Sequence, residues 1–218
     1  MRSILLGDYD TAGTGLWTLA SWKLSPAVYK SNLVEVPASD IVLDLSTALT
    51  DGEPRYSPRS LTITLESSEG DRLARKARID EMINKLDGQR VHIKLPDDAD
   101  HYLVGRLSVQ ELYNDLAHAS VQVDTVCEPW KYAEQETEYN LTASSTQQSV
   151  VLINKGRRSV VPTLLVTGGT ITLTYGNSTW TLTAGTYQLP DIYLTPTGHT
   201  IGYKGSGKLL VKFREAVL

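Results

Sequence analysis

The sequence predicts a mainly β protein, all-β except for one α-helix, that is built as two consecutive domains. Apolar and polar residues alternate along much of the chain, as in "LTITLE" at residues 61–66, which is typical of half-buried strands. A helical pattern is clear only at residues 71–88. The composition changes near residue 133, and the 85 residues from Glu134 onward contain 15 Thr and 9 Gly. We therefore expect one domain at residues 1–133 and a second at residues 134–218.

The first domain is predicted to hold seven strands. Runs of alternating or β-branched residues bounded by turn residues mark them. They lie at residues 16–24, 33–36, 41–45, 61–66, 90–95, 102–112 and 119–126.

The helix is predicted from "DRLARKARIDEMINKLDG". Four residues at i, i+3, i+4 and i+7 form one apolar stripe: Ile79, Met82, Ile83 and Leu86. Ser68 and Asp71 have the spacing of a capping box, and Gly88 suits the position just after the last turn. Four cations crowd the first half of the helix: Arg72, Arg75, Lys76 and Arg78. We interpret them as a solvated flank, with an inter-subunit contact as the alternative.

A link of about 14 residues separates the strand at 41–45 from the strand at 61–66, although strand connections in compact domains usually take about 4–6 residues. It is rich in Ser, Thr, Asp, Gly and Pro. A connection of this length predicts a function of its own.

The second domain is predicted to be a β-sandwich, because short alternating segments are separated by turn signals every eight to twelve residues. In "TITLTYGNSTWTLT", a Gly176–Asn177 turn pairs Leu173 with Trp180 and places the apolar residues on one face. "KLLVKF" at residues 208–213 alternates in the same way.

Candidate chemical motifs do not form a catalytic, metal or cofactor site. "GYKGSGK" at residues 202–208 lacks the Ser or Thr and the helix that follow a phosphate-binding loop, so it predicts a hairpin turn. "DDADH" at residues 97–101 resembles a calcium loop or an acid–base pair, but it lacks the glycine and distal Glu of a calcium loop and favours a hairpin loop. The four histidines lack ligand spacing, and Cys127 reads as a buried small hydrophobe. No enzyme is predicted.

Sugar binding is the alternative that the second domain leaves open, because aromatic side chains on β-sandwiches often stack on saccharides. Trp180 is expected in the core, since the hairpin register groups it with leucines. Tyr187, Tyr193 and Tyr203 remain candidates for stacking on a sugar. If this alternative holds, replacing Tyr187 or Tyr203 by Ala should abolish glycan binding.

The charge is distributed unevenly along the chain. Residues 1–133 contain 14 Lys/Arg and 20 Asp/Glu, whereas the remaining residues contain 7 and 5. An acidic domain does not bind DNA phosphates by releasing counterions, but it can surround DNA without holding it. We find no run of about 18–20 apolar residues that would span a bilayer and no signal peptide, so we expect synthesis in a reducing cytoplasm and no membrane insertion.

Several phrases in order resemble the siphophage distal tail protein family, over residues 15–133. They are "VEVP" at residues 34–37, Asp40, "LDL" at 43–45, Ala48, Leu49, Tyr56, Arg59, "LTI" at 61–63, and Cys127, Pro129, Trp130 and Tyr132. Ala38 and Ile41 replace the glycines usual in the family, so the backbone of this turn is expected to differ locally. "NKGRRSVVPTLLVTG" is similar to the start of the family's galectin-like sandwich.

The resemblance implies a structural virion protein. Members form a homo-hexameric ring at the tail tip, as one ring or two stacked rings, with the first domains closing the ring. The implied partners are the tail tube protein, the tape-measure protein, the tail-tip or tail-associated lysin protein and, in many relatives, a receptor-binding protein. DNA passes through the lumen without specific binding.

The resemblance also gives the long link a role. It is implied to be a belt that reaches over the neighbouring subunit, with Leu45, Ala48, Leu49, Tyr56 and Arg59 as candidate contact residues. A head-to-tail contact of this kind closes into a ring when the rotation is right.

Overall fold

The structure is a computed structural model that describes residues 3–12, 17–50 and 52–218. The chain divides into two compact units, Met1–Lys131 and Tyr132–Leu218. Within the described parts of the chain, no helix has the length and apolar character needed to cross a bilayer.

The first unit is built on one antiparallel sheet. Its strands follow the spatial order β2-β1-β7-β8-β9-β6-β3. Their bounds are β1 (Leu5–Leu6), β2 (Tyr9–Asp10), β3 (Thr18–Leu24), β6 (Arg59–Ser67), β7 (Arg90–Leu95), β8 (Asp98–Asn114) and β9 (Ala119–Cys127). Two further strands, β4 (Leu33–Glu35) and β5 (Val42–Asp44), pair only with each other in a separate two-stranded sheet.

The mainly β class with one helix is confirmed, and each predicted strand corresponds to an observed one. Leu16, the first residue of the predicted strand at 16–24, lies outside the described residues. The sequence missed β1 and β2, because two-residue strands are too short to show an alternating pattern.

The helix α1 spans Arg72–Leu86, and its predicted stripe faces the core. Ile79 and Met82 are fully buried, and Ile83 packs against the core from a half-buried position. Gly88 has φ +72°, as expected for a residue that follows a helix. The predicted capping box is wrong: Asp71 is the N-cap, and its carboxylate accepts a hydrogen bond from the Ala74 N–H at 2.7 Å. The helix therefore begins three residues later than a cap at Ser68 would require.

Arg75 corrects the interpretation of the cationic cluster as a solvated flank. Its side chain is only 1% exposed. The guanidinium donates hydrogen bonds to the carbonyls of Gly70 and Asp115 and lies 3.5 Å from Asn114 Oδ1. Arg75 lies one helical turn before Ile79, so it belongs to the buried face. It fastens the start of α1 to the turn between β8 and β9.

The second unit is a β-sandwich of two four-stranded sheets, in the orders β11-β18-β13-β16 and β12-β17-β14-β15. A short strand, β10 (Lys131–Ala133), pairs with β19 (Ala216–Val217). The sandwich strands are β11 (Thr137–Ala143), β12 (Gln148–Ile153), β13 (Thr163–Thr167), β14 (Ile171–Tyr175), β15 (Ser178–Leu182), β16 (Gly185–Gln188), β17 (Gly198–Gly205) and β18 (Gly207–Phe213).

The predicted register of the β14–β15 hairpin is confirmed, with Leu173 opposite Trp180 and Ile171 opposite Leu182. The alternation in β18 is confirmed as well, because Leu209, Val211 and Phe213 are all buried. These residues belong to the core between the two sheets.

The two motifs that resembled ligand sites lie at connections between strands. The hairpin turn predicted at residues 202–208 is wrong: this segment joins β17 to β18, which lie in different sheets, so the chain crosses there from one sheet of the sandwich to the other. The Asp-rich segment forms the β7–β8 hairpin, where Asp98 Oδ2 accepts a hydrogen bond from Lys131 Nζ at 2.8 Å. Partial burial alone would raise the pKa of Asp98, but the hydrogen bonds with Lys131 and His101 outweigh this effect and lower it. Cys127 is buried, as predicted, and burial raises the pKa of its thiol.

Candidate assembly surface: an exposed apolar arm

The feature that distinguishes the first unit is a long arm, which we define as residues 26–57. Strands β4 and β5 form its outer part, with Leu33 opposite Asp44 and Glu35 opposite Val42. Residues 45–50 and 52–57 belong to the part of the chain that returns from β5 to β6. The predicted link at 46–60 is therefore only the returning half of a longer excursion.

The strands predicted at 33–36 and 41–45 lie outside the main sheet of the first unit. Both were predicted as strands and both are strands, but they pair only with each other. Periodicity predicts a strand without identifying the sheet that it joins.

The base of the arm is fixed to the first unit by aromatic and polar contacts. Tyr29 and Tyr56 form a β-bridge, and their rings meet edge to face with centroids 6.1 Å apart. Tyr56 also packs edge to face on Trp130 at 5.3 Å. The Lys30 N–H donates to the Arg55 carbonyl at 2.8 Å and closes the base.

Arg59 anchors the strand that follows the arm. It is 8% exposed, and its Nε donates a hydrogen bond to the Ser25 carbonyl at 2.8 Å. Burial lowers the pKa of the Arg59 guanidinium. Two of the predicted belt residues, Tyr56 and Arg59, thus lie at the base of the arm.

The middle of the arm is closed by polar groups. The Asn32 N–H donates to Ser46 Oγ at 2.7 Å, and the Ser46 N–H donates to Asp44 Oδ1 at 2.9 Å. Hydrogen bonds from the side chain and backbone of Ser46 lower the pKa of Asp44. These contacts hold the returning chain beside β4 and β5.

Ala38 at the tip of the arm is the one described non-glycine residue with positive φ, at +60°. This left-handed conformation is strained for an L-residue with a Cβ and is adopted readily by glycine. The backbone at Ala38 therefore has the left-handed conformation that glycine adopts most easily, although the residue is an alanine.

We expect Ala38→Gly to stabilise the tip by about 0.5–1 kcal/mol, because it removes the Cβ strain. Amide exchange at Ser39, whose N–H donates to the Val36 carbonyl at 3.2 Å, should slow roughly two- to fivefold. Ala48→Gly is the matched control: Ala48 is exposed in the same arm but has no positive φ, so exchange there should become faster. Equal effects of the two substitutions in hydrogen-exchange measurements would contradict this account.

The surface of the arm is strongly apolar. Of the 17 large hydrophobic side chains that are exposed in the described chain, nine lie in the arm. They are Val28, Tyr29, Leu33, Val34, Ile41, Val42, Leu43, Leu45 and Leu49. Leu49, on the returning half, is 98% exposed. A concentration of exposed apolar side chains on one segment makes the arm a candidate binding surface.

The structure separates the five candidate belt residues into two groups. Leu45, Ala48 and Leu49 lie exposed on the returning half, whereas Tyr56 and Arg59 hold the base. The sequence prediction omitted the exposed residues of β4 and β5. The available signal was the six large apolar residues of so short a hairpin, because such a hairpin has no second layer to cover them: Leu33, Val34, Val36, Ile41, Val42 and Leu43.

The face of the main sheet opposite the core is polar around a single carboxylate. Asp124 accepts hydrogen bonds from Thr62 Oγ1 at 2.7 Å, from Gln122 Nε2 at 2.7 Å and from Gln110 Nε2 at 3.3 Å. These residues lie on β6, β8 and β9, at positions that alternate with the buried ones. The centre of this face therefore displays mainly hydroxyl and amide groups.

The tyrosines selected for sugar stacking do not form an open platform. Tyr203 is 7% exposed and belongs to the core of the sandwich, so the expectation that it is a surface residue is wrong. It faces inward because it lies two residues after the buried Ile201 on β17. Tyr187 is half-buried against the same core, and its hydroxyl donates to the Thr183 carbonyl at 3.1 Å. Trp180 packs against the core, as predicted.

Among the described residues, no group of three or more His, Cys, Asp and Glu side chains is arranged to hold a metal ion. The arm therefore remains the most distinctive candidate surface of the first unit.

Comparisons with known proteins support the fold. No family model matches the sequence, and no curated protein matches it. Among solved structures, the chain is similar to the SPP1 Dit protein, whose crystal structure is described as a paradigm of the hub adsorption apparatus in phages that infect Gram-positive bacteria. The TM-score is 0.68 with 15% sequence identity, over 99% of each chain. The structural resemblance suggested by the sequence is thus confirmed at the level of the fold.

Proposed function

We propose that this chain is a structural protein of a phage tail tip, which forms a hexameric ring through its apolar arm. The observation that carries this proposal is the likeness to the SPP1 Dit hub protein across both units, over 99% of either chain. The sequence phrases that resemble the distal tail family support the same conclusion independently of the fold.

The arm supplies the contact that closes the ring. Its exposed side chains are not covered by a second layer within β4 and β5. Burying one leucine side chain that was exposed to water contributes about 1.5–3 kcal/mol to the free energy of association. A second copy offers that cover if each arm lies on the next subunit. Because the arm and the surface that receives it differ, the contact is head-to-tail and repeats until the ring closes.

The ring acts as a connector. It joins the tail tube and the tape-measure protein to the tail-tip proteins, and DNA passes through its lumen. The hydroxyl and amide groups around Asp124 suit a wall along which DNA slides, because these groups carry no positive charge to hold phosphates. The role is mechanical and non-enzymatic.

Light scattering coupled to size-exclusion chromatography tests the proposal, together with negative-stain electron microscopy. We expect a particle of six copies of the 24.0 kDa chain, or twice that number for stacked rings, and images with six-fold symmetry. A stable monomer at high protein concentration and moderate salt, both alone and after mixing with the tail tube protein, would overturn the ring.

A further inference from the structure

The outer face of one sheet in the second unit has an ordered array of side chains. In the sheet β11-β18-β13-β16, residues that alternate with the buried ones point away from the core. The strand registers arrange them in three rows. The rows are Glu138–Lys212–Thr163–Gln188, then Asn140–Leu210–Leu165–Thr186, then Thr142–Lys208–Thr167.

The side chains of the first row bind one another. Lys212 Nζ lies 2.6 Å from Glu138 Oε1, and this contact raises the pKa of Lys212. Gln188 Nε2 donates to Thr163 Oγ1 at 3.0 Å. The hydrogen-bonding capacity of this row is therefore used within the sheet.

The next two rows differ from the first. The side chains of Asn140, Thr142, Thr167 and Lys208 make no hydrogen bond or ion pair with any described residue, although they converge on the half-buried Leu165 and Leu210. We call these six residues the groove. They line a cavity of about 260 Å³ that is open to the surface.

We propose that the groove binds an anionic saccharide, a sugar ring that carries a carboxylate or a phosphate. The apolar floor of Leu165 and Leu210 suits the C–H face of a sugar ring, and amide and hydroxyl side chains suit its hydroxyl groups. Lys208 supplies the charge for the anion. The volume lies just below the range of about 300–1,000 Å³ that holds drug-sized ligands, so it suits one or two rings.

The geometry favours a saccharide over a peptide. Peptides that bind sheets usually pair with a free edge through backbone hydrogen bonds. The groove is centred on β18, whose backbone already pairs with β11 on one side and with β13 on the other. Only side chains are available there. Adjacent strands lie about 4.8 Å apart, so a site across three strands is about 10 Å wide, close to the width of one sugar ring with its substituents.

The test is saturation-transfer NMR on the purified full-length chain, with glucuronic acid and glucose 6-phosphate as anionic probes and glucose as the neutral probe. We expect millimolar binding of at least one anionic probe and at least fivefold weaker binding of glucose. Lys208→Gln should weaken the anionic probe roughly tenfold, which corresponds to one charge-assisted hydrogen bond. Lys204→Gln is the matched control, because Lys204 is exposed on the other sheet and should leave binding unchanged.

Three outcomes would overturn the proposal: no saturation transfer to either anionic probe, equal losses in the two lysine variants, or displacement of the sugars by a short acidic peptide that binds more tightly than they do. Leu210→Gln gives a second measurement, since it removes the apolar floor and should weaken all ring probes together. This site does not depend on ring formation, because its residues lie entirely in the second unit. Failure here would therefore leave the proposed assembly unaffected.

Discussion

A chain in which Asn-Gly joins Lys30 directly to Arg55, in place of residues 31–54, should fold normally and remain monomeric. The backbone hydrogen bond between Lys30 and Arg55 already brings the two residues together, and Asn-Gly is the favoured two-residue hairpin turn. The variant keeps Tyr29 and Tyr56 at the base, so the contact with Trp130 is retained. What it loses is most of the exposed apolar surface of the arm.

The expected effect on assembly is complete loss of the ring at concentrations where the unmodified chain is fully assembled. Light scattering measures the loss, and circular dichroism measures whether the shortened chain has kept its β structure and its cooperative unfolding. A shortened chain that still forms rings would show that the arm is not the element that closes them.

A graded version of the same experiment uses single substitutions. Leu49→Asp places a charge on a side chain that is 98% exposed, so it should leave the isolated subunit folded while weakening the ring. Leu116→Asp is the matched control, because Leu116 is 90% exposed in the turn between β8 and β9, away from the arm in sequence. If both substitutions weaken the ring equally, then the loss of any exposed leucine impairs assembly, and the arm has no special role in it.

The arm shows which structural features sequence periodicity predicts and which it does not. Alternation predicted β4 and β5 within one residue at each end, because it depends on neighbours along the chain. It did not predict that the two strands leave the main sheet, since strand partners are set by contacts far apart in sequence. The length of the returning link was the local clue, and it identified only half of the arm.

The second unit shows the same limit. The Gly176–Asn177 turn predicted the pairing of Leu173 with Trp180 correctly, because the turn fixes the register of its own hairpin. Tyr203 was expected on the surface but is buried. It lies on β17 and pairs with Leu173 of β14, on the edge of β14 that does not face β15. Leu173 and Tyr203 are 30 positions apart in the sequence. No short turn connects their strands, so the sequence alone does not predict the pairing. The groove was missed for the same reason: its residues come from three strands.

The burial of Arg75 could have been predicted from its position on the helix, but its charge suggested an exposed residue. It lies four residues before Ile79 and therefore on the apolar stripe, but an arginine is almost never fully buried unless its donors are satisfied. The turn between β8 and β9 provides that satisfaction. The Asp115 carbonyl accepts from Arg75 Nη2 at 2.8 Å, while N–H groups of His118 and Ala117 donate to the Asp115 carboxylate. These N–H donors, with the nearby Arg75 charge, lower the pKa of Asp115.

Arg75→Met should therefore produce the largest loss of stability of any single substitution considered for this chain. Methionine fills much of the same volume, but it removes two part-buried hydrogen bonds from a charged donor to the carbonyls of Gly70 and Asp115, which contribute about 1.5–3 kcal/mol each. Removing a buried charge offsets part of this cost. We expect a net decrease of about 2–4 kcal/mol in the free energy of unfolding of the first unit.

Urea unfolding followed by hydrogen exchange of peptides from residues 60–127 would measure this decrease in the first unit separately from the second. Arg72→Met is the control, because Arg72 is exposed on the same helix and the change should stay within about 0.5 kcal/mol. If Arg75→Met were equally mild, the guanidinium would be replaceable by any side chain of similar size. The start of α1 and the β8–β9 turn would then be held together by apolar packing alone, without the hydrogen bonds that join them.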